Sequence, residues 1–386
     1  MFRRYRIATL LNLSGLSVAV ATFYLFMTQV IYNRTYNHNI NDYEHTYRLE
    51  IYGNLFGDNW GCTICRPFAS MLKDVPQVKS VVYYCPYVNN ADIKVNNRTI
   101  TVPVVNIGKP GIEFFTGKLI SGSSKAWGTG ATAILNRSTA EKMFGTANAA
   151  GKTFEINTDD GGMKPVTVVG VSEDMPDNCT IPNGMYLCDN ESGMTDWSEW
   201  SYYIYVRLDN GASPEKVVRG LKQGFMKAQG ISPKDEKEFD KQMKFRITSV
   251  DDVYFSGIGQ QDKGNRSLVD VLTVASVFVL FIALLNLLNF QLSEVPMRMR
   301  GVNTRRVMGA SVGGLRLKMI MESVLFAFVA LVVGVLFVVV FQRSEACMKL
   351  VSGDISFSAH WLLAAVMAVS GLFVGAWGAV LAAALL

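Results

Sequence analysis

Two long apolar runs bracket a short basic segment late in the chain, and this arrangement limits the fold more than any other feature. Val271–Leu292 reads VLTVASVFVLFIALLNLLNFQL and Met319–Phe341 reads MIMESVLFAFVALVVGVLFVVVF. Each exceeds the roughly 20 residues that cross the hydrocarbon core of a bilayer. Between them, Arg298–Ala310 reads RMRGVNTRRVMGA. A basic segment joining two spans belongs on the cytoplasmic side. The chain is therefore expected to be a membrane protein that meets a cytoplasmic partner at this segment.

The overall composition hides this pattern. Mean hydropathy is only +0.20 with 18% charged residues, because the apolar residues are concentrated rather than spread. Two further runs, Ile7–Ile31 and Trp361–Leu386, complete a set of four candidate transmembrane helices. The expected organisation is 1–31, cytoplasmic N-terminus and first span; 32–270, a large α+β extracytoplasmic domain; and 271–292, second span. Then follow 293–318, a cytoplasmic coupling loop; 319–341, third span; 342–360, an outer loop; and 361–386, fourth span.

Charge sets the orientation. Arg3, Arg4 and Arg6 precede the first run, and Arg298, Arg300, Arg305, Arg306, Arg316 and Lys318 lie in the 293–318 segment against Glu294 alone. By the positive-inside rule both groups are cytoplasmic. Residues 32–270 hold 26 Lys and Arg against 28 Asp and Glu, so the net +5 of the chain comes from the inner side. A nucleic-acid partner would need a basic face on a folded domain, and this distribution argues against one. The first run is longer than the apolar core of a signal peptide, and MTQVIYN after it offers no small-x-small cleavage site. It is read as an uncleaved anchor.

Five cysteines, Cys62, Cys65, Cys85, Cys179 and Cys188, fall in the outer domain, and Cys347 falls in the outer loop. That compartment permits disulfides, and Cys179–Cys188 is the expected bridge, closing a loop with Pro182, Asn183 and Gly184. The C-x-x-C at Cys62 and Cys65 lacks the βαβ setting of a redox enzyme. A zinc site would need a second ligand pair, and the three histidines, His38, His45 and His360, do not supply it.

Within the outer domain, DIKVNNRTITVPVVNI (92–107) alternates about an Asn96–Asn97 turn and is read as a hairpin. Lys152–Ile156 and Pro165–Val171 flank an Asp159–Gly162 turn and are read likewise. SYYIYVRL (201–208) is an aromatic strand. Ser213, Pro214 and Glu215 open a helix to about Ala228. Trp197, Trp200, Tyr202, Tyr203 and Tyr205 are read as core or as a ligand platform. GTANAAGKT (145–153) imitates a phosphate loop but puts five residues between its glycines where the motif has four. No Ser/His/Asp set or H-E-x-x-H appears, so no catalytic residue, cofactor or metal is expected.

Ala133–Pro182 runs AILNRSTAEKMFGTANAAGKTFEINTDDGGMKPVTVVGVSEDMPDNCTIP. It resembles the outer-domain signature of MacB/FtsX-type permeases of ABC transporters, especially those common in Bacteroidetes. The matching residues are Ala140, Phe144, Gly145, Gly151, Lys152, Gly170, Val171, Asp174 and Pro176. Asn12–Ser17 resembles the family's opening of its first helix, and Tyr47-Arg48 the start of its outer domain. Asn286 and Asn289 match an N-x-x-N in the second span, Arg305–Ala310 the family's R-K-x-x-G-A, and Glu322-Ser323 an E-S in the third span. Gly301 and Asn303 depart from the Glu and Gly that many members carry.

The resemblance implies a transmembrane subunit that is not an enzyme. A partner ABC ATPase would hydrolyse ATP, and helix movements would drive the outer domain, for export. It implies ATPase coupling through Arg298, Arg300, Val302, Arg305, Arg306, Val307, Met308 and Gly309, and functional intramembrane polar residues at Asn286, Asn289 and Glu322. It also implies an inner-membrane location, a dimer or a duplicated second half, and a periplasmic adaptor. Because the chain stops at Leu386 inside an apolar run, it is expected to be a first half or a truncated reading. Alternatives are an FtsX-like regulator of a cell-wall hydrolase, a membrane-anchored sensor, and, weakest, a redox enzyme using Cys62 and Cys65.

Overall fold

The computed structural model describes residues 6–384 except 96–97, 116–118, 158–161, 190, 260–262 and 310. Side chains of 6–8, 191–192, 290, 293–306, 374, 378–379 and 381–384 also lie outside the description. The chain forms two compact units. Residues 1–34 and 265–386 make one, and residues 35–264 make the other.

The outer unit begins with β1 (Thr46–Gly53), β2 (Asn59–Gly61), α2 (Pro67–Lys73) and β3 (Val78–Tyr84), after α1 (Arg6–Arg34) of the first unit. Next come β4 (Asn89–Val95), β5 (Arg98–Ile107), α3 (Gly111–Phe115), β6 (Leu119–Gly122), β7 (Thr132–Asn136) and α4 (Arg137–Phe144). They are followed by β8 (Thr153–Asn157), β9 (Met163–Ser172), β10 (Met185–Cys188), β11 (Tyr203–Leu208) and α5 (Pro214–Ala228). α6 (Glu236–Gln242), β12 (Met243–Ser249) and α7 (Val250–Val253) complete it.

Its strands pair in the order β10-β7-β9-β8-β4-β5-β3-β11-β1-β12, and β10 also pairs with β5. Six strands therefore close on themselves. Alternate residues along a strand share a face, and one such set fills the ring: Ile93 and Val95, Val102 and Val104, Ala133 and Leu135, Val166 and Val168, with Phe154 and Met185. Both expected hairpins form, β4 on β5 and β8 on β9; their turns, at Asn96–Asn97 and within 159–162, lie wholly or largely outside the described residues.

The remaining strands, β3, β11, β1 and β12, carry two cores. On β11 the alternation splits the residues, with Ile204 and Val206 packing under α2 and α5, and Tyr203 and Tyr205 packing with Ile112, Phe114 and Phe115 at α3. Tyr202, Tyr203 and Tyr205 are buried, and Trp197 and Trp200 pack edge-on against Phe68. The aromatic cluster is core. Ser213 precedes α5 as expected, but its hydroxyl lies 2.6 Å from Glu215 Oε2 rather than capping a helix N–H.

The first unit consists of α1, α8 (Arg266–Val307), α9 (Val312–Arg343), the short α10 (Glu345–Met348) and α11 (Trp361–Ala384). Among the described residues, three helices are long and apolar enough to cross a membrane, over Thr9–Arg34, Arg266–Asn289 and Val312–Arg343. In α11 the apolar stretch so identified is shorter, Trp361–Trp377. Leu16, Val20, Phe23 and Tyr24 of α1 pack with Ala283, Leu287, Ala330, Leu331 and Met367. Outward-facing residues such as Val271, Phe278, Leu325, Phe328, Val366 and Phe373 are apolar and exposed, as a lipid-facing surface requires.

Small residues set the helix spacing. A Cβ on Gly375 would lie 2.9 Å from the Ala327 Cβ, and one on Gly334 would lie 2.9 Å from Val20 Cγ1. Glycine permits this close backbone approach. Tyr24, fully buried, donates to the Ile355 and Ser356 carbonyls at 3.2 and 3.1 Å, and Gln29 Nε2 donates to Ser352 O at 3.0 Å. These bonds hold the 344–360 connection against α1. The main departure from the sequence expectation is α8. The loop expected from 293 is helical through Val307, passing Pro296, whose missing N–H removes one helical hydrogen bond.

Candidate functional site

Three regions hold the residues singled out by the sequence. The first is the connection between α8 and α9, only Met308–Ser311 long. Val307 and Met308 are 90% and 75% exposed, an unusual state for two adjacent apolar side chains. Gly309 has φ +91°, a conformation that favours glycine. Ser311 caps α9 by accepting from Gly314 N at 3.2 Å. The glycine and the cap stand at the two sides of this short connection. The side chains of Arg298, Arg300, Val302, Arg305 and Arg306 lie outside the described residues, as does Ala310.

The second region is inside the helical unit. Asn286 and Asn289 are exposed on α8, and Asn286 lines a cavity of about 260 Å³ with Leu11, Gly15 and Ala283. Glu322 is half-buried beside the buried Ser323. Sequence reading missed Gln291. It is 4% exposed, its Nε2 lies 3.4 Å from Gly375 O, and its buried Oε1 has no partner among the described residues. An amide in an apolar run was the available signal.

The third region is the family-like stretch of the outer unit. Asp174 Oδ1 accepts from both Ser138 N and Ser138 Oγ at 2.9 Å, so it caps the first turn of α4. Asn136, fully buried, accepts from Gly184 N at 2.8 Å and donates to Glu173 O at 3.0 Å. Gly145 ends α4 at φ +71° and Gly151 turns the chain at φ +84°. The phosphate-loop imitation is thus a helix stop followed by a turn. Arg48 of the Tyr47-Arg48 pair is 1% exposed and bonds Glu50 Oε1 at 2.5 Å, while Glu50 Oε2 accepts from Arg246 Nε at 2.7 Å.

No disulfide joins any of the six cysteines, so the expected Cys179–Cys188 bridge is not formed in this structure. Cys188 Sγ instead lies 3.7 Å from Asp189 O, in donor geometry. Cys62 and Cys65 pack in two different cores, and burial pushes both thiols up, Cys65 to about 12. Burial of this kind disfavours the thiolate that redox chemistry needs. Among the described residues no group of three or more His, Cys, Asp or Glu is placed to hold a metal ion.

Residues 9–223 match a family profile described as the MacB-like periplasmic core domain, and residues 273–386 match one described as the FtsX-like permease C-terminal. A Pseudomonas syringae pv. tomato protein named as a syringafactin export ATP-binding/permease protein, SyfD, is 24% identical over 242 residues. That match takes in 60% of this chain and 33% of the relative, so the chain spans about a third of that protein's length. A permease-protein domain from Porphyromonas gingivalis is similar in structure, with a TM-score of 0.45 at 19% identity over 57% of this chain and 95% of that one. The periplasmic region of MacB from Actinobacillus actinomycetemcomitans gives 0.37 at 14% identity over 56% and 92%.

Proposed function

The chain belongs to the MacB/FtsX-type permeases of ABC transporters, and we propose that it works by mechanotransmission, for export. A separate cytoplasmic ATPase subunit hydrolyses ATP, and this chain does no chemistry of its own. In this reading α1, α8, α9 and α11 all cross the inner membrane. Residues 32–270 then lie outside and 293–318 inside. The ATPase docks on Arg298, Arg300, Val302, Arg305, Arg306, Val307, Met308 and Gly309.

The observation that carries the reading is α8. Its 42 residues form one continuous helix, about 63 Å long, that joins an apolar stretch to the arginine-bearing end. A push at that end is delivered along the helix instead of being lost in a loop. The exposed Val307 and Met308 supply apolar surface and follow the arginines in sequence, the composition of a docking patch with charged residues around it. Asn286 and Asn289 are exposed amides on or beside a span, costly if they face lipid. They are assigned to contact with a second copy or a duplicated second half. The test is ATP turnover by a candidate ABC ATPase subunit from the same source, measured in lipid nanodiscs with and without the permease. The reading expects binding and stimulated turnover; an ATPase that neither binds nor responds contradicts it.

A further inference from the structure

Residues 35–42, TYNHNIND, lead from α1 into the outer unit. A polar, asparagine-rich run of this kind ordinarily reads as a loose connection. In the structure it is bonded on three sides.

The first side is the outgoing segment that leads toward α8. Tyr36, 5% exposed, stacks on Tyr254 with centroids 3.9 Å and planes 11° apart. His38 Nε2 lies 2.7 Å from Asp251 Oδ1, and the His38 ring stacks on Tyr43 at 4.0 Å. The second side is the connection from β9 to β10, part of the closed ring. Asn37 N donates to Asn178 O at 2.8 Å, and Thr180 N donates to Asn37 Oδ1 at 2.6 Å. Asn178 Nδ2 donates to Thr35 Oγ1 at 2.9 Å and to Thr35 O at 3.1 Å. The third side is α3 and β11. Asn41 Nδ2 donates to Glu113 O at 3.0 Å, and Arg207 donates to Asn41 O.

Asn37 is completely buried and sits at φ +67°, a left-handed conformation that asparagine tolerates better than most residues. Its N–H and Oδ1 are bonded while its Nδ2 has no partner among the described residues, so its burial is unfavourable on that side and must be held by the packing around it. A connection needed only for reach would stay in water. We propose that residues 35–42 form a clasp that ties the outgoing segment to the β9–β10 connection, so that a displacement of either chain crossing is passed to both. Its purpose rests on the mechanotransmission reading, but its existence does not.

Hydrogen exchange on the full chain in lipid nanodiscs, without the ATPase, decides the clasp. The variant is Tyr254→Ala with Asp251→Ala, both on the outgoing side, and the control is Tyr254→Phe, which keeps the stack. The clasp predicts that the amides of Asn37 and Thr180 exchange about tenfold faster in the double variant. They should stay at wild-type rates in the control, with the ring strands β4 and β8 unchanged in both. Unchanged exchange at Thr180 overturns the proposal, and so does loosening that spreads through the whole ring. Failure of the unsubstituted chain to stimulate an ATPase would count against mechanotransmission instead and leave the clasp standing.

Discussion

Glu50 holds two arginines of the outer unit at once. It is fully buried and accepts from Arg48 on one carboxylate oxygen and from Arg246 on the other. Glu50→Gln leaves Arg48 as an uncompensated buried cation, a change that costs about 3–5 kcal/mol. The expected result is a clear fall in the urea midpoint of the outer unit, followed by tryptophan fluorescence of the detergent-solubilised chain. Asp42 gives a pH-dependent counterpart. His45 bonds its carboxyl at 2.6 Å, and with Arg207 and Lys79 nearby it is held below the usual carboxylate value. A lowered folded-state value means that its stabilisation is present above the ordinary carboxylate pKa and is lost as pH falls through the folded one. Asp42→Asn is therefore expected to lower stability at neutral pH and to flatten the loss on the acid side. At this scale the sequence was partly legible. The turn glycines and Asp174 stood out by type, whereas the burial of Arg48, Glu50 and Asn37 did not. A charged or amide side chain announces solvent until its partner, often far away in the chain, is known.

Elements were read more securely than their ends. Period-two alternation located β4, β5, β8 and β9, and apolar length located α1, α8 and α9. The continuation of α8 to Val307 was missed because Pro296, Gly301 and the arginines resemble a loop, although a helix leaving the apolar stretch tolerates all of them at some cost. Gly309 was likewise open from sequence, and its φ of +91° makes a β-branched replacement strained. The α9–α11 contact has little room for added side chains. Gly371 and Gly375 are four apart on α11, and a side chain at Gly375 would press on Ala327. Gly375→Leu is expected to cost about 1–3 kcal/mol by overpacking. A lowered thermal midpoint of the solubilised chain would check this, with Ala at the same position giving a smaller loss.

For the whole molecule, charge bias and apolar length foresaw a membrane protein with one large outer domain. Strand order was beyond reach, because alternation says which face a residue takes but not which strands meet. The closed ring and the clasp at 35–42 are both products of such long-range pairing. The central claim is that the basic end of α8 couples this permease to an ATPase. The most direct test is Arg305→Glu with Arg306→Glu, reading membrane insertion, ATPase co-purification and stimulated ATP turnover together. Insertion should survive, since Arg298, Arg300, Arg316 and Lys318 remain for the positive-inside rule to act on. Co-purification or stimulation should be lost. If the doubly reversed chain still binds and stimulates the ATPase as wild type does, the arginines serve only to orient the chain and the coupling account is wrong.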